Sequence, residues 1–238
     1  MKRSYKKSII LALFPVVAAG MTGCSDSDHP RERTFEVTVT NLSANQPLSP
    51  VGVVYHADGF QAWSIGEEAS NGLEVLAEGG DNTQFLSESA SDSSNITTDG
   101  NNSPFGPGHS ATISTTFESN SDIELTVATM LVNTNDAYTG LSGWSIGELE
   151  VGEELSRLSP IYDAGTEANT EAEGTIPGPA DGGEGFNSER EENGVVTRHP
   201  GVVTAGVEGG FDENPLSTLD ESHRFDAPIA KIVVRRVN

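Results

Sequence analysis

Gly143-Trp144-Ser145-Ile146-Gly147 spells G-x-S-x-G, the turn that lifts a serine nucleophile above a sheet in many hydrolases. That chemistry needs an apolar strand leading into the serine and a helix leading out of it. Here Asn135–Ser142 reads as a polar loop and Val151-Gly152-Glu153 starts no helix, so Ser145 is not expected to act as a nucleophile. In a chain with 26 glycines such a short match arises readily by chance. The five histidines, His29, His56, His109, His199 and His223, show no spacing suited to a zinc site. No loop suited to cradling phosphate and no basic patch is found. What remains in quantity is carboxylate: 36 acidic residues against 13 basic ones. Carboxylates are ligands for hard divalent cations.

The single cysteine, Cys24, has a different chemistry. Lys2, Arg3, Lys6 and Lys7 precede an apolar run from Ile9 to Ala19. The run is too short to span about 30 Å of hydrocarbon but suits a secretory signal. Met21-Thr22-Gly23-Cys24 then resembles a bacterial lipobox, with Met21 where Leu is usual. Residues 1–23 are therefore expected to be a lipoprotein signal peptide and Cys24 the lipidation site. Ser25, rather than Asp, follows it and favours the outer membrane, on its surface or periplasmic face. Nothing else is apolar enough to cross a bilayer, so the expected membrane contact is the lipid anchor alone. After cleavage nine basic residues face 36 acidic ones, a formal charge of −27. Such a surface repels nucleic acid and anionic headgroups, attracts divalent cations, and is also what a saline habitat selects. With one cysteine there is no internal disulfide, so any staple has to be a metal.

The elements that would position a site read as follows. Residues 24–33 form a polar tether, and residues 34–238 read as one domain. Phe35, Val37 and Val39 alternate with polar residues as a half-buried strand, and Val51–His56 reads as a second. Glu67–Gly79 is the best helix, with Ala69, Leu73, Leu76 and Ala77 on one face and Gly79-Gly80 ending it. A shorter helix is expected around Asp81–Ser89, then a loop over Ser91–Gly108. Ala111, Ile113, Thr115 and Phe117 alternate again, Ile123–Val132 reads as a central strand, and Trp144–Val151 as a short one. Gly165–Gly210 is a Gly- and Glu-rich excursion with a hairpin near Val195–His199, and Ile229–Val237 closes the chain as a strand. Trp-Ser-Ile-Gly-Glu occurs at Trp63–Glu67 and again at Trp144–Glu148, either by coincidence or as related packing corners. The expected class is all-β: an antiparallel β-sandwich with long loops and one or two short helices.

Several segments, in order, resemble the spondin amino-terminal domain found in F-spondin and mindin. Phe60–Gly72 leading into Leu76-Ala77-Glu78 is similar to the family's helix start. Ala128-Thr129-Met130-Leu131 with Asn135–Ser142 is similar to its central strand and acidic loop. Tyr162-Asp163-Ala164-Gly165-Thr166-Glu167 with Thr175-Ile176-Pro177 resembles its most recognisable signature, and Ala230–Arg236 its last strand. The resemblance implies a β-sandwich holding a calcium ion (Ca2+) in its loops, with Asp136, Asp163 and Glu167 at the metal positions. Glu167 stands where many members carry Asp, and the cysteines of animal members are absent. It also implies a non-enzymatic adhesion or binding module whose partner is an extracellular or envelope protein or glycan. The rival expectations are a structural envelope lipoprotein with no ligand beyond calcium, and a calcium-dependent hydrolase.

Overall fold

The computed structural model describes residues 31–119, 122–190, 194–205 and 216–238. The expected signal peptide, Cys24 and His29 lie outside the described residues. Among the described residues, ten strands and two α-helices follow in chain order. They are β1 (Arg31–Asn41), β2 (Gly52–His56), α1 (Asn71–Gly79), α2 (Thr83–Ala90), β3 (Asn95–Gly100), β4 (Ser110–Ser119) and β5 (Glu124–Met130). The chain continues through β6 (Ala137–Ser145), β7 (Glu154–Ser159), β8 (Ile161–Asp163), β9 (Thr197–Arg198) and β10 (Ala230–Arg236). They build two antiparallel sheets, one ordered β4-β1-β10-β7 and the other β3-β2-β5-β6-β8-β9, packed face to face as a β-sandwich.

The alternation in β1 sets the first sheet. Phe35, Val37 and Val39 are fully buried against Ile113 of β4, Ile232 and Val234 of β10, and Val53, Leu125 and Val127 of the facing sheet. The six-stranded sheet is covered on both faces, which is why β2 and β5 read as nearly unbroken apolar runs. Its outer face packs under the two helices: Leu73, Leu76 and Phe85 meet Val54, Ala128, Tyr138 and Tyr162. Ser70 caps α1 by accepting from the Leu73 N–H, and Gly80 ends it at φ 69°. The helix is shorter than the expected Glu67–Gly79, because the chain reaches Ser70 through turns.

Four local expectations change. The strand expected over Trp144–Val151 is only the end of β6, and turns lead from it into β7. The stretch read as a polar loop before Gly143 is β6: Ala137, Tyr138, Thr139 and Gly140 are buried and pair with β5 and β8. Polar β3 lies inside the expected Ser91–Gly108 loop, tied to β2. Thr197-Arg198 pairs with Tyr162-Asp163 of β8 instead of forming a hairpin of its own. The repeated pentapeptides occupy different places: Trp63 lies under α1 and Trp144 lies between the sheets. They are not equivalent corners.

Candidate metal centre

Sheet register brings two of the expected carboxylates to one end of the sandwich. Ala137 of β6 is the cross-strand partner of Asp163 in β8, so Asp136 sits just before one strand and Asp163 at the end of the next. The Asp136 carbonyl accepts the Ala164 N–H at 3.2 Å. The chain then turns over Gly165 at φ 72°, where a Cβ would stand 2.7 Å from the Val195 backbone. This turn folds backbone donors onto both acids. Thr166 and Glu167 give their N–H groups to Asp136 Oδ2 at 2.8 and 3.2 Å, and Gly165 gives its own to Asp163 Oδ1 at 2.8 Å.

Asp136 is fully buried, and its second oxygen, Oδ1, has no hydrogen-bond partner. Burial first, and then the Asp163 and Glu78 carboxylates, push it up to about 7, against the opposing pull of the Thr166 and Glu167 N–H groups. Glu167 is buried too, and its Oε2 accepts from Asn135 Nδ2 at 3.3 Å. Asn135 also donates to Thr175 Oγ1 at 3.0 Å and accepts the Glu171 N–H at 2.9 Å, so it holds three parts of the acidic loop in place.

Two further acids belong to this end. Glu171 is fully buried with φ 44°, the positive-φ non-glycine of the described residues. Its Oε2 accepts the Val203 N–H at 3.0 Å, while Oε1 has no partner. Burial, aided by Asp136 and Asp163, raises it to about 7. Glu78, near the end of α1, has one oxygen on the Asn187 N–H at 3.0 Å and the other unpartnered, and burial raises its pKa. The signal for Glu171 lay in the sequence, where acids recur every fourth residue at Asp163, Glu167 and Glu171; no local spacing marks Glu78. Asp136, Asp163 and Glu171 make no ion pair with a described residue.

His199 is joined to this end without lending a ligand. Gly201 N–H donates to its Nδ1 at 3.0 Å, so Nε2 carries the proton and faces Asn169 Oδ1 at 3.2 Å. Asn169 in turn donates to Asp163 Oδ2. Burial lowers His199 to about 4, although Asp163 pulls the other way, and the ring is neutral at pH 7. His56, His109 and His223 lie elsewhere. Ser145 ends β6 and leads by a turn into β7, so the helix that a nucleophile elbow requires does not follow it.

Compared with known proteins, the chain matches no family model, and no curated protein matches it. The carboxylates gathered at this end offer oxygen, the donor a hard cation takes. The unpartnered, buried Asp136 Oδ1 beside Asp163 fits such an ion. The side chains as they stand form no ready-made shell: among the described residues no three His, Cys, Asp or Glu groups converge on one point. Glu167 is turned toward Asn135.

Proposed function

We propose that this chain is an exported, lipid-anchored binding and adhesion module of spondin type, whose acidic loop end takes a calcium ion. Its ligand is an extracellular or envelope protein or glycan, and it sits at the outer membrane through Cys24. Asp136, Asp163 and Glu167 would hold the ion, with backbone carbonyls and water completing six to eight oxygens at about 2.3–2.6 Å. What calcium supplies when bound is positive charge among buried acids.

The observation that carries this reading is Asp136. A fully buried carboxylate with one unpartnered oxygen, next to a second carboxylate and in no ion pair with a described Lys or Arg, is costly unless it is protonated or meets a cation. The rest of this end is arranged around it. Backbone N–H groups fix its Oδ2, and Asn135 and Asn169 orient the neighbouring Glu167 and Asp163. The β-sandwich class agrees with the family that the sequence resembles.

A thermal melt of the full chain, in EDTA and then in rising calcium, tests the site. The melting temperature should climb with calcium concentration, since an ion that binds only the folded state stabilises it by mass action. The climb should vanish in Asp163→Ala. An unchanged melt of well-folded protein at millimolar calcium would sink the metal site.

A further inference from the structure

Strand β7 lies at one end of its sheet, and among the described residues only β10 pairs with it. The carbonyls of Glu153 and Ser159 accept from Arg236 and Ile229 on the β10 side. By alternation, Glu154, Ser156 and Leu158 present their N–H and C=O groups to the open edge. Open edges of this kind recruit another strand. Leu155 is 41% exposed, with its side chain on the inner face of the sheet. It borders a groove of about 260 Å³ floored by the buried Ile146 and Leu149 and rimmed by Glu148 and Glu153. On the same face, the Arg157 guanidinium lies 5.0 Å over the Trp144 ring. A stacked guanidinium keeps its in-plane N–H donors free for a carboxylate.

We propose that this edge is a homodimer interface, in which β7 pairs antiparallel with β7 of a second copy about a two-fold axis through Leu155. Side chains directly opposite in a sheet share a face, so the axis has to pass through a residue. An axis through Glu154 opposes two carboxylates, and one through Arg157 opposes two guanidiniums. An axis through Ser156 sets Leu155 against Arg157 and Glu154 against Leu158. Only the axis through Leu155 places leucine against leucine over the apolar groove and, on either side, Glu153 of one copy opposite Arg157 of the other. Glu154 and Ser156 then exchange backbone hydrogen bonds across the new edge. The isologous contact uses one patch twice and closes, which removes the open edge from both copies. An interface of about six residues a side lies below the size of permanent dimers, so the association is weak and weakens with salt.

Sedimentation of the full chain in mild detergent, over a dilution series, tests the pairing. The wild type should show a concentration-dependent dimer, Arg157→Glu a monomer, and Glu153→Arg combined with Arg157→Glu a dimer again. Ser156→Pro removes an N–H that the fold itself does not use and should also leave a monomer, whatever Arg157→Glu does to folding. Under mild oxidation Leu155→Cys should cross-link to itself, while Leu158→Cys, on the opposite face, should not; Cys24 is common to both. A wild type that is monomeric up to millimolar protein would overturn the proposal. So would a charge-swapped variant that stays monomeric while Arg157→Glu does too, or equal cross-linking of the two cysteine variants.

Discussion

The backbone N–H of Thr166 donates to Asp136 Oδ2 at 2.8 Å, joining residues thirty positions apart. This bond fixes one oxygen of Asp136 and leaves the other, Oδ1, buried without a partner. The two oxygens explain opposite demands on the residue. Oδ2 locks the β8 turn onto the start of β6, while Oδ1 and the charge oppose folding until something positive arrives. Asp136→Asn separates these roles, because its amide oxygen still accepts from Thr166 and Glu167 while the buried charge is gone. In EDTA at pH 8 the variant should melt at or above the wild-type temperature, and calcium should no longer raise it. A variant that melts lower in EDTA and still responds to calcium would show that Asp136 is purely structural.

The same burial sets a pH dependence. Asp136 and Glu171 are both raised to about 7 in the folded protein, above the ordinary carboxyl range that they have when unfolded. Between about pH 4 and 7 the folded chain thus holds protons that the unfolded chain has released. Stability from these groups is complete below the unfolded values and is lost as pH rises through about 7. At about 1.4 kcal/mol per pKa unit, the loss is on the order of a few kcal/mol for each group. Melting temperatures measured in EDTA should fall from pH 5 to pH 8, and saturating calcium should flatten the fall. A melt in EDTA that is independent of pH over that range would rule out buried, unneutralised carboxylates at this end.

Much of the fold was legible, because burial is one-sided wherever the sequence alternates. Phe35-Glu36-Val37-Thr38-Val39 could only be a strand with one wet face, and Gly79-Gly80 marks the end of α1, although its start lies at Asn71 and not at the expected Glu67. The misses fall where burial is two-sided or absent. Tyr138-Thr139-Gly140 reads as polar, yet β6 is central and its small or hydroxylated residues fit beneath Trp63 and beside Ser159. Asn95–Gly100 has no apolar period, and only backbone pairing to β2 makes it a strand. At the site, Asp136 and Asp163 come from the resemblance and the register places them at one end. Glu78 was invisible because its closeness to Asp136 depends on where α1 docks, a long-range fact that no local spacing encodes.

Trp63 shows what the covered face of the six-stranded sheet requires. Its ring meets Tyr138 edge-on at 5.2 Å and Tyr162 at 5.4 Å, while those two tyrosines stack at 5.2 Å. Gly140 leaves the room: a Cβ there would stand 3.0 Å from the indole and 2.0 Å from the Val127 carbonyl oxygen. Trp63→Ala should cost about 3–5 kcal/mol in urea unfolding, and Trp63→Phe much less. A loss under about 1 kcal/mol would mean that the loop carrying Trp63 is not seated on the sheet.

Arg190 fastens the Gly- and Glu-rich excursion to α1. Its Nη2 lies 2.7 Å from Glu74 Oε2 and 2.9 Å from the Ala69 carbonyl oxygen, and the Glu74 side chain is only 6% exposed. The hydrogen bond to Glu74 raises the guanidinium pKa, so the arginine stays charged wherever the protein is folded. Arg190→Ala leaves a nearly buried carboxylate alone and should cost about 3 kcal/mol. Adding Glu74→Gln to that variant should recover most of the loss, since the stranded charge, more than the pair, is what destabilises. A double-mutant cycle by urea unfolding measures this directly, and fully additive losses would mean that the two side chains do not meet in solution. Because the excursion also supplies the Asn187 N–H that Glu78 accepts, Arg190→Ala should in addition weaken the calcium-induced rise in melting temperature.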